Sequence, residues 1–277
     1  MTEPIDPRDH HLRLLAHPVV HAYVSLRAFG DLTSHGVALL GRAREHTARG
    51  HRVLCIGVAA PRVQALAAAL PDRQFVVVEP SGAAPRTDAL RTTHNIEALA
   101  GGLDPLDRGS FHLAVAVHSL HHVADLERLW DQLARALHPG GSLLAQEYVG
   151  PAGLRWPAAQ RELAESALHT LVPRALRGGS RTGTLTAAPA PPDALEFAPR
   201  SHELVATCQT AGFELEAAAG GGCGLLIPAL LDRTDAFDPA DWQHNAVLGA
   251  LFREEDRRMR AGELSDDYAM FIARRPT

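Results

Sequence analysis

The chain has 277 residues and a net charge of −5, from 27 basic against 32 acidic side chains. All 27 are arginine, and the complete absence of lysine excludes Schiff-base catalysis, a phosphate-loop lysine and a lysine general base. An acidic balance also argues against tracking a nucleic-acid backbone, which calls for a basic stripe.

Hydrophobic residues make up 46% and aromatics only 5%, so the core is expected to be aliphatic and rich in alanine. Cys55, Cys208 and Cys223 are too few and too scattered for a disulfide framework or a four-cysteine metal site. The opening MTEPIDPRDHH lacks a basic region followed by an apolar run, and no stretch of about 18 apolar residues exists to span a membrane. A soluble cytoplasmic protein is expected, from a GC-rich bacterial genome.

Residues 9–48 carry apolar positions at spacings of three and four and predict helices, punctuated by Pro18 and Gly30-Asp31. HRVLCIGVAAP (51–61) predicts a buried strand ending in glycine. A helix with Val63, Leu66 and Leu70 follows, and QFVVVEP (74–80) is a second strand. This unit has the size of parallel strands joined by a crossover helix. RTTHNIEAL (91–99) predicts a third strand with its exit loop, and FHLAVAVHSLHHV (111–123) a fourth strand running into a helix start. DLERLWDQLARAL (125–137) is an amphipathic helix, HPGG a stop and turn, and SLLAQEYVG (142–150) a fifth strand.

Residues 151–205 break the rhythm with a helix near 157–172 and a long Gly/Pro/Thr/Ala-rich stretch, as expected of a lid. SHELVATCQTAGFELEAAAGGG then predicts helix, turn and strand. Residues 225–262 look helical, and YAMFIARR (268–275) closes the chain as a strand. The expected fold is α/β, a Rossmann-like doubly wound sheet of seven strands, mostly parallel with an antiparallel last strand. The expected organisation is a helical cap (1–50), a cofactor-binding core (51–150), a lid (151–205) and a C-terminal part of the core (206–277).

Ligands of such sheets sit at the carboxyl ends of the strands. Those ends are expected to carry Gly57, Val58 and Ala59, then Glu79, Asn95, His118 and Ser119, and finally Glu147 and Tyr148. An acid ending the second strand, about twenty residues after a glycine turn, suits a ribose diol. It serves equally as a solvated strand cap. His118, His121 and His122 suit proton transfer at neutral pH, or pack beside a ligand for shape alone. Their spacing is compatible with a metal, yet no acidic partner accompanies them, and no metal is expected. His10, His11, His17 and His21 are expected at the surface or in the lid. Glu147 can orient a substrate or act as a base, or it can cap a neighbouring segment. Arg155, Arg174, Arg177, Arg181 and Arg200 can clamp an anion or form a solvated face. The run Gly220-Gly221-Gly222-Cys223-Gly224, with no phosphate-loop lysine, is expected to be a turn.

VLCIGVAAP, FVVVEP, the block FHLAVAVHSLHHVADLERLWDQLARALHPGGSLLAQEYVGP and YAMFIARR together resemble class I S-adenosylmethionine-dependent methyltransferases, over nearly the whole chain. HPVVHAYVSLRAFGD and EYVGPAGLRWPAAQ are similar to a bacterial small-molecule subgroup, met beside polysaccharide or natural-product genes. The resemblance implies S-adenosylmethionine as cofactor and methyl transfer to an oxygen or nitrogen of a small molecule in secondary metabolism. It places Gly57, Val58 and Ala59 at the methionine part, Glu79 and Pro80 at the ribose, and Asn95 and Ile96 at the adenine. His118 and Ser119 lie beside them; Tyr23 and Arg27, in the helical N-terminus, either close over the cofactor or simply pack. His118, His122 and Glu147 are then the candidate catalytic groups, and His121, Tyr148, Arg155 and Trp156 the candidate substrate contacts. A homodimer is one expected assembly. Where the family usually shows Gly-x-Gly, this chain reads Gly57-Val58-Ala59. That departure keeps two rivals open, a fold turned to a non-methylating reaction such as cyclisation and a non-catalytic partner subunit.

Overall fold

The computed structural model describes residues 14–29, 35–80, 94–177, 198–231 and 233–277. The expectations for His10, His11 and Arg181, and for part of the lid (178–197), fall outside the described residues.

Strand β1 (Arg52–Ile56) forms where Val53, Leu54, Cys55 and Ile56 are apolar on both faces of the pleat, and all four are fully buried. Helix α1 (Pro18–Phe29) and helix α2 (His35–Glu45) precede it. Helix α3 (Ala60–Ala69) buries Val63, Leu66 and Ala67 and returns the chain to β2 (Gln74–Val78), parallel to β1 with Ile56 opposite Val78. The other edge of β1 pairs with β4 (Phe111–Val117), Ile56 opposite Ala116, while β3 (Ile96–Ala98) lies beyond β2.

Helix α4 (Leu126–Ala136) begins at Asp125, whose side chain accepts from the Arg128 N–H at 3.0 Å, a cap worth about 1 kcal/mol. Its apolar face buries Leu126, Leu129, Trp130, Leu133 and Ala136 against the sheet. The Trp130 indole N–H is satisfied by Thr207 Oγ1 at 2.8 Å, on helix α6 (Leu204–Thr210).

β5 (Leu137–Tyr148) departs from the sequence expectation, because HPGG lies within the strand rather than before it. Phe111 pairs with Leu137 and Leu113 with Ser142, so the intervening residues bulge out of the ladder. The glycines permit this. Gly140 has φ +77°, and a Cβ at Gly141 would lie 2.8 Å from the His138 carbonyl oxygen.

Helix α5 (Ala158–Leu171), α6, β6 (Glu214–Gly222), helix α7 (Leu226–Leu230), helix α8 (Trp242–Arg260) and β7 (Tyr268–Arg274) complete the chain. The strand order is β3-β2-β1-β4-β5-β7-β6, seven strands with β7 antiparallel. Reciprocal bonds just past the end of β7 show that antiparallel run. Gly140 N–H donates to Arg275 O, and Arg275 N–H to Gly141 O, at 3.0 and 2.9 Å. The sheet is thus the doubly wound, mostly parallel one expected.

The chain divides into two compact units. Met1–Ser34, Gly150–Phe197 and Gly220–Tyr268 make one; His35–Val149, Ala198–Ala219 and Ala269–Thr277 make the other. Among the described residues, no helix is long and apolar enough to cross a membrane.

Candidate functional site

In the order β3-β2-β1-β4-β5 the chain winds one way from β1 to β3 and the other way from β4 onward. The topological switch point therefore lies between the carboxyl ends of β1 and β4, where open α/β sheets bind ligands. Gly57 leaves β1 there with φ +59°, its N–H donating to Val78 O at 2.9 Å. A Cβ at this position would lie 2.3 Å from Ser119 Cβ, so only glycine fits. The Ser119 hydroxyl donates to Ile56 O at 2.8 Å, tying the exits of β1 and β4 together.

Val58 is buried, and Ala59 is the residue before helix α3, with φ −56° and ψ 136°. That is ordinary extended backbone for an L-residue, so alanine in place of the family's second glycine introduces no strain. Pro61 sits in the first turn of α3, where its missing N–H costs nothing. Glu79 and Pro80 follow β2 and are half-buried.

Asn95 is placed differently from the expectation. β3 begins at Ile96, so Asn95 stands at the amino end of the strand and Ile96 is its first residue. The Asn95 side chain is buried, and its amide donates to Ala67 O at 3.3 Å and Arg73 O at 3.1 Å. The carboxyl end of β3 is carried instead by Leu99 to Leu103. Gly101 and Gly102 there have φ +96° and +66°. With Pro80, Leu103, Val123 and Leu129 they line a cleft of about 260 Å³ beside the ends of β2 and β3. The strand and helix periodicity does not single out this glycine pair. Its signal was two adjacent glycines following a predicted strand end.

His118 leaves β4 with φ +53°, its N–H held by Gln146 O at 2.9 Å. A short 3₁₀ turn, Leu120–His122, follows. Glu147 is expected at the mouth of β5 facing a substrate, but it is fully buried. Its carboxylate accepts from the Ser119 N–H at 3.0 Å, the Leu120 N–H at 3.1 Å, the His121 N–H at 3.4 Å and the His121 Nδ1 at 2.6 Å. Tyr148 is likewise fully buried, with the His121 ring 6.1 Å away and edge-on. His121 is 1% exposed, whereas His118 and His122 are half-buried.

Tyr23, Arg27, Arg155 and Trp156 belong to the first of the two units. The Tyr23 hydroxyl lies 2.8 Å from Glu255 Oε1 and 3.0 Å from Asp256 Oδ1, and burial beside Glu255 raises its pKa. Arg27 pairs with Asp256 and, at 3.5 Å, with Asp266. Glu255, fully buried, accepts from the N–H groups of Cys223, Leu225 and Leu226 at 2.8 to 3.0 Å. Gly222 N–H donates to Asp266 at 2.7 Å. Contrary to the expected turn, Gly220 to Gly222 are the last residues of β6, and the chain turns only after them; the Gly222 and Cys223 amides are taken up by carboxylates.

Asp267 is fully buried and accepts from Trp156 Nε1 at 2.8 Å and Gln160 Nε2 at 3.2 Å, both through Oδ2. Among the described residues its Oδ1 has no hydrogen-bond partner, and burial pushes the carboxyl up to about 7. Nothing in the sequence pattern singled out Glu255 or Asp267.

Arg177 bonds the carbonyls of Val172 and His169, Arg200 grips Glu127 and Glu203, and Arg155 and Arg174 are exposed. His17, expected at the surface, is buried with Nε2 3.0 Å from Phe237 O.

Residues 61–143 match a family model described as a methyltransferase domain. This is a class I methyltransferase fold. Among solved structures, phosphoethanolamine N-methyltransferase 2 of Haemonchus contortus, in complex with S-adenosyl-L-methionine, is similar with a TM-score of 0.51 and 15% identity. The match covers 99% of this chain and 61% of that one. The (4+2)-cyclase SpnF follows at 0.48 and 16%, covering 99% and 98%. Geranyl diphosphate C-methyltransferase from Streptomyces coelicolor A3(2) stands at 0.48 and 12%, covering 86% and 79%. No curated protein matches the sequence. Within the methyltransferase fold, Gly57 and Ser119 meet at the switch point and Glu79 follows the neighbouring strand β2, while Asn95 lies at the opposite end of its strand.

Proposed function

We propose that this protein transfers a methyl group from S-adenosylmethionine to an oxygen or nitrogen of a small molecule, in secondary metabolism. The observation that carries the reading is Gly57, whose positive φ and missing Cβ keep the backbone open at the β1/β4 switch point. Half-buried Glu79, one strand over, suits the ribose diol, and the cleft whose lining mixes Pro80, Gly101 and Leu103 with Asp104, Asp125 and Arg128 suits a flat ring with polar edges. These residues fit the cofactor. Bound there, it supplies an electrophilic methyl group on a sulfonium.

The chain's part is to bind, orient and receive a proton. Orientation supplies much of the acceleration in such a displacement. Glu147 is committed to four donors and does not act as base. That leaves half-buried His118 and His122, just past β4, to take a proton from the acceptor. Incubation with methyl-labelled S-adenosylmethionine and a panel of phenols, carboxylic acids and amines tests this. Label should pass to at least one class, and His118→Ala or His122→Ala should slow that transfer by roughly 10²-fold or more. Full activity in both variants would remove the histidines from the chemistry.

A further inference from the structure

We propose that Glu147 is a positioning residue that sets the shape of the cofactor crevice through His121 and Ser119. The inference rests on the cofactor assignment above. One buried carboxylate gathers three consecutive backbone N–H groups, at residues 119, 120 and 121, together with the His121 ring. These bonds fix the turn that follows His118, whose own backbone is held at φ +53°.

The effect reaches β1 by two contacts. The Ser119 hydroxyl holds Ile56 O at 2.8 Å, and its Cβ fills the space that a side chain at residue 57 would need. Moving the 119–121 backbone therefore moves the wall against which the Gly57 turn is built. Because an ionised carboxylate only accepts, His121 presents Nδ1–H to it. The His121 and His122 rings lie 4.0 Å apart, so the same carboxylate orients the neighbour of a proposed proton acceptor. Removing it leaves four donors seeking a partner in a buried site.

Glutamine at 147 offers one accepting oxygen and turns an NH₂ group toward N–H donors. Glu147→Gln should weaken binding of S-adenosylhomocysteine by about tenfold or more, read by calorimetry. It should also abolish the downfield Nδ1–H proton of His121 seen by NMR on histidine-labelled protein. His121→Asn, which keeps a donor near the Nδ1 position, should retain more affinity than His121→Ala. A folded Glu147→Gln protein that binds S-adenosylhomocysteine as tightly as the wild type overturns the proposal. If that variant does not fold, Ser119→Ala leaves the carboxylate in place and cuts only the link to Ile56. It must weaken binding, and unchanged affinity overturns the proposal equally. Absence of binding by the wild type would contradict the cofactor assignment itself. The Nδ1–H signal would still decide whether Glu147 fixes His121.

Discussion

Gly57 and Ala59 stand two residues apart in the first loop, and their backbone torsions give them opposite tolerances. At φ +59°, with Ser119 Cβ 2.3 Å from where a methyl would go, Gly57→Ala adds left-handed strain of roughly 1–2 kcal/mol to a direct clash. Its melting temperature should fall well below that of the wild type. Ala59→Gly is milder: at φ −56° it loosens the unfolded chain without relieving strain, costing about 0.5–1 kcal/mol. Thermal unfolding of the pair should show this ranking, and a stabilised Gly57→Ala protein would refute the geometry. Asp267 carries a different prediction. Its folded-state pKa of about 7 exceeds the ordinary 3.8, so the folded protein holds this proton more tightly than the unfolded chain. The resulting stability is complete below about pH 4 and is lost as pH rises through 7. Asp267→Asn should flatten stability over that window; an unchanged slope would mean that another group titrates.

The strand ends show which parts of a site a sequence reveals. β1 and β2 were legible because continuous apolar runs end in Gly57 and Glu79. Asn95 was misplaced because β3 is only Ile96–Ala98, too short for its pattern to fix a register. Glu147 was legible as a strand-end acid, but its partners lie 26 to 28 residues away and only the β4–β5 ladder brings them together. The opposite edge of the same strands carries another feature. His51, before β1, stacks on His112 of β4 with ring centroids 3.5 Å apart, and His138 lies 5.3 Å beyond. The Ala48 N–H donates to His51 Nδ1 at 3.1 Å, so a proton there would lose that bond. Burial lowers the pKa of both His51 and His112, helped at His51 by Arg73 and His138, and at His112 by its two stacked neighbours. With folded values below 6.5, this stability is present above that pH and is lost as pH falls beneath it. His112→Gln should flatten the acid limb of the melting curve. A limb unchanged in His112→Gln and His51→Gln alike would place the acid sensitivity elsewhere.

For the whole molecule, the order β3-β2-β1-β4-β5-β7-β6 concentrates Gly57, Glu79, His118 and Ser119 at one end of the sheet. The alternation of apolar strands and helices predicted that layout without reference to any side-chain contact. The acidic framework of the first unit was illegible for the converse reason. Tyr23, Glu255 and Asp267 are far apart in sequence, and each is an ordinary residue of its own helix or strand end. The cofactor crevice between β1 and β4 is the central claim, and calorimetric titration with S-adenosylhomocysteine tests it most directly. The wild type should bind, and Glu79→Ala should bind more weakly by roughly 1.5–3 kcal/mol, as expected when hydrogen bonds to a charged group are lost. No detectable binding by the wild type, or equal affinity in a folded Glu79→Ala protein, would contradict the assignment.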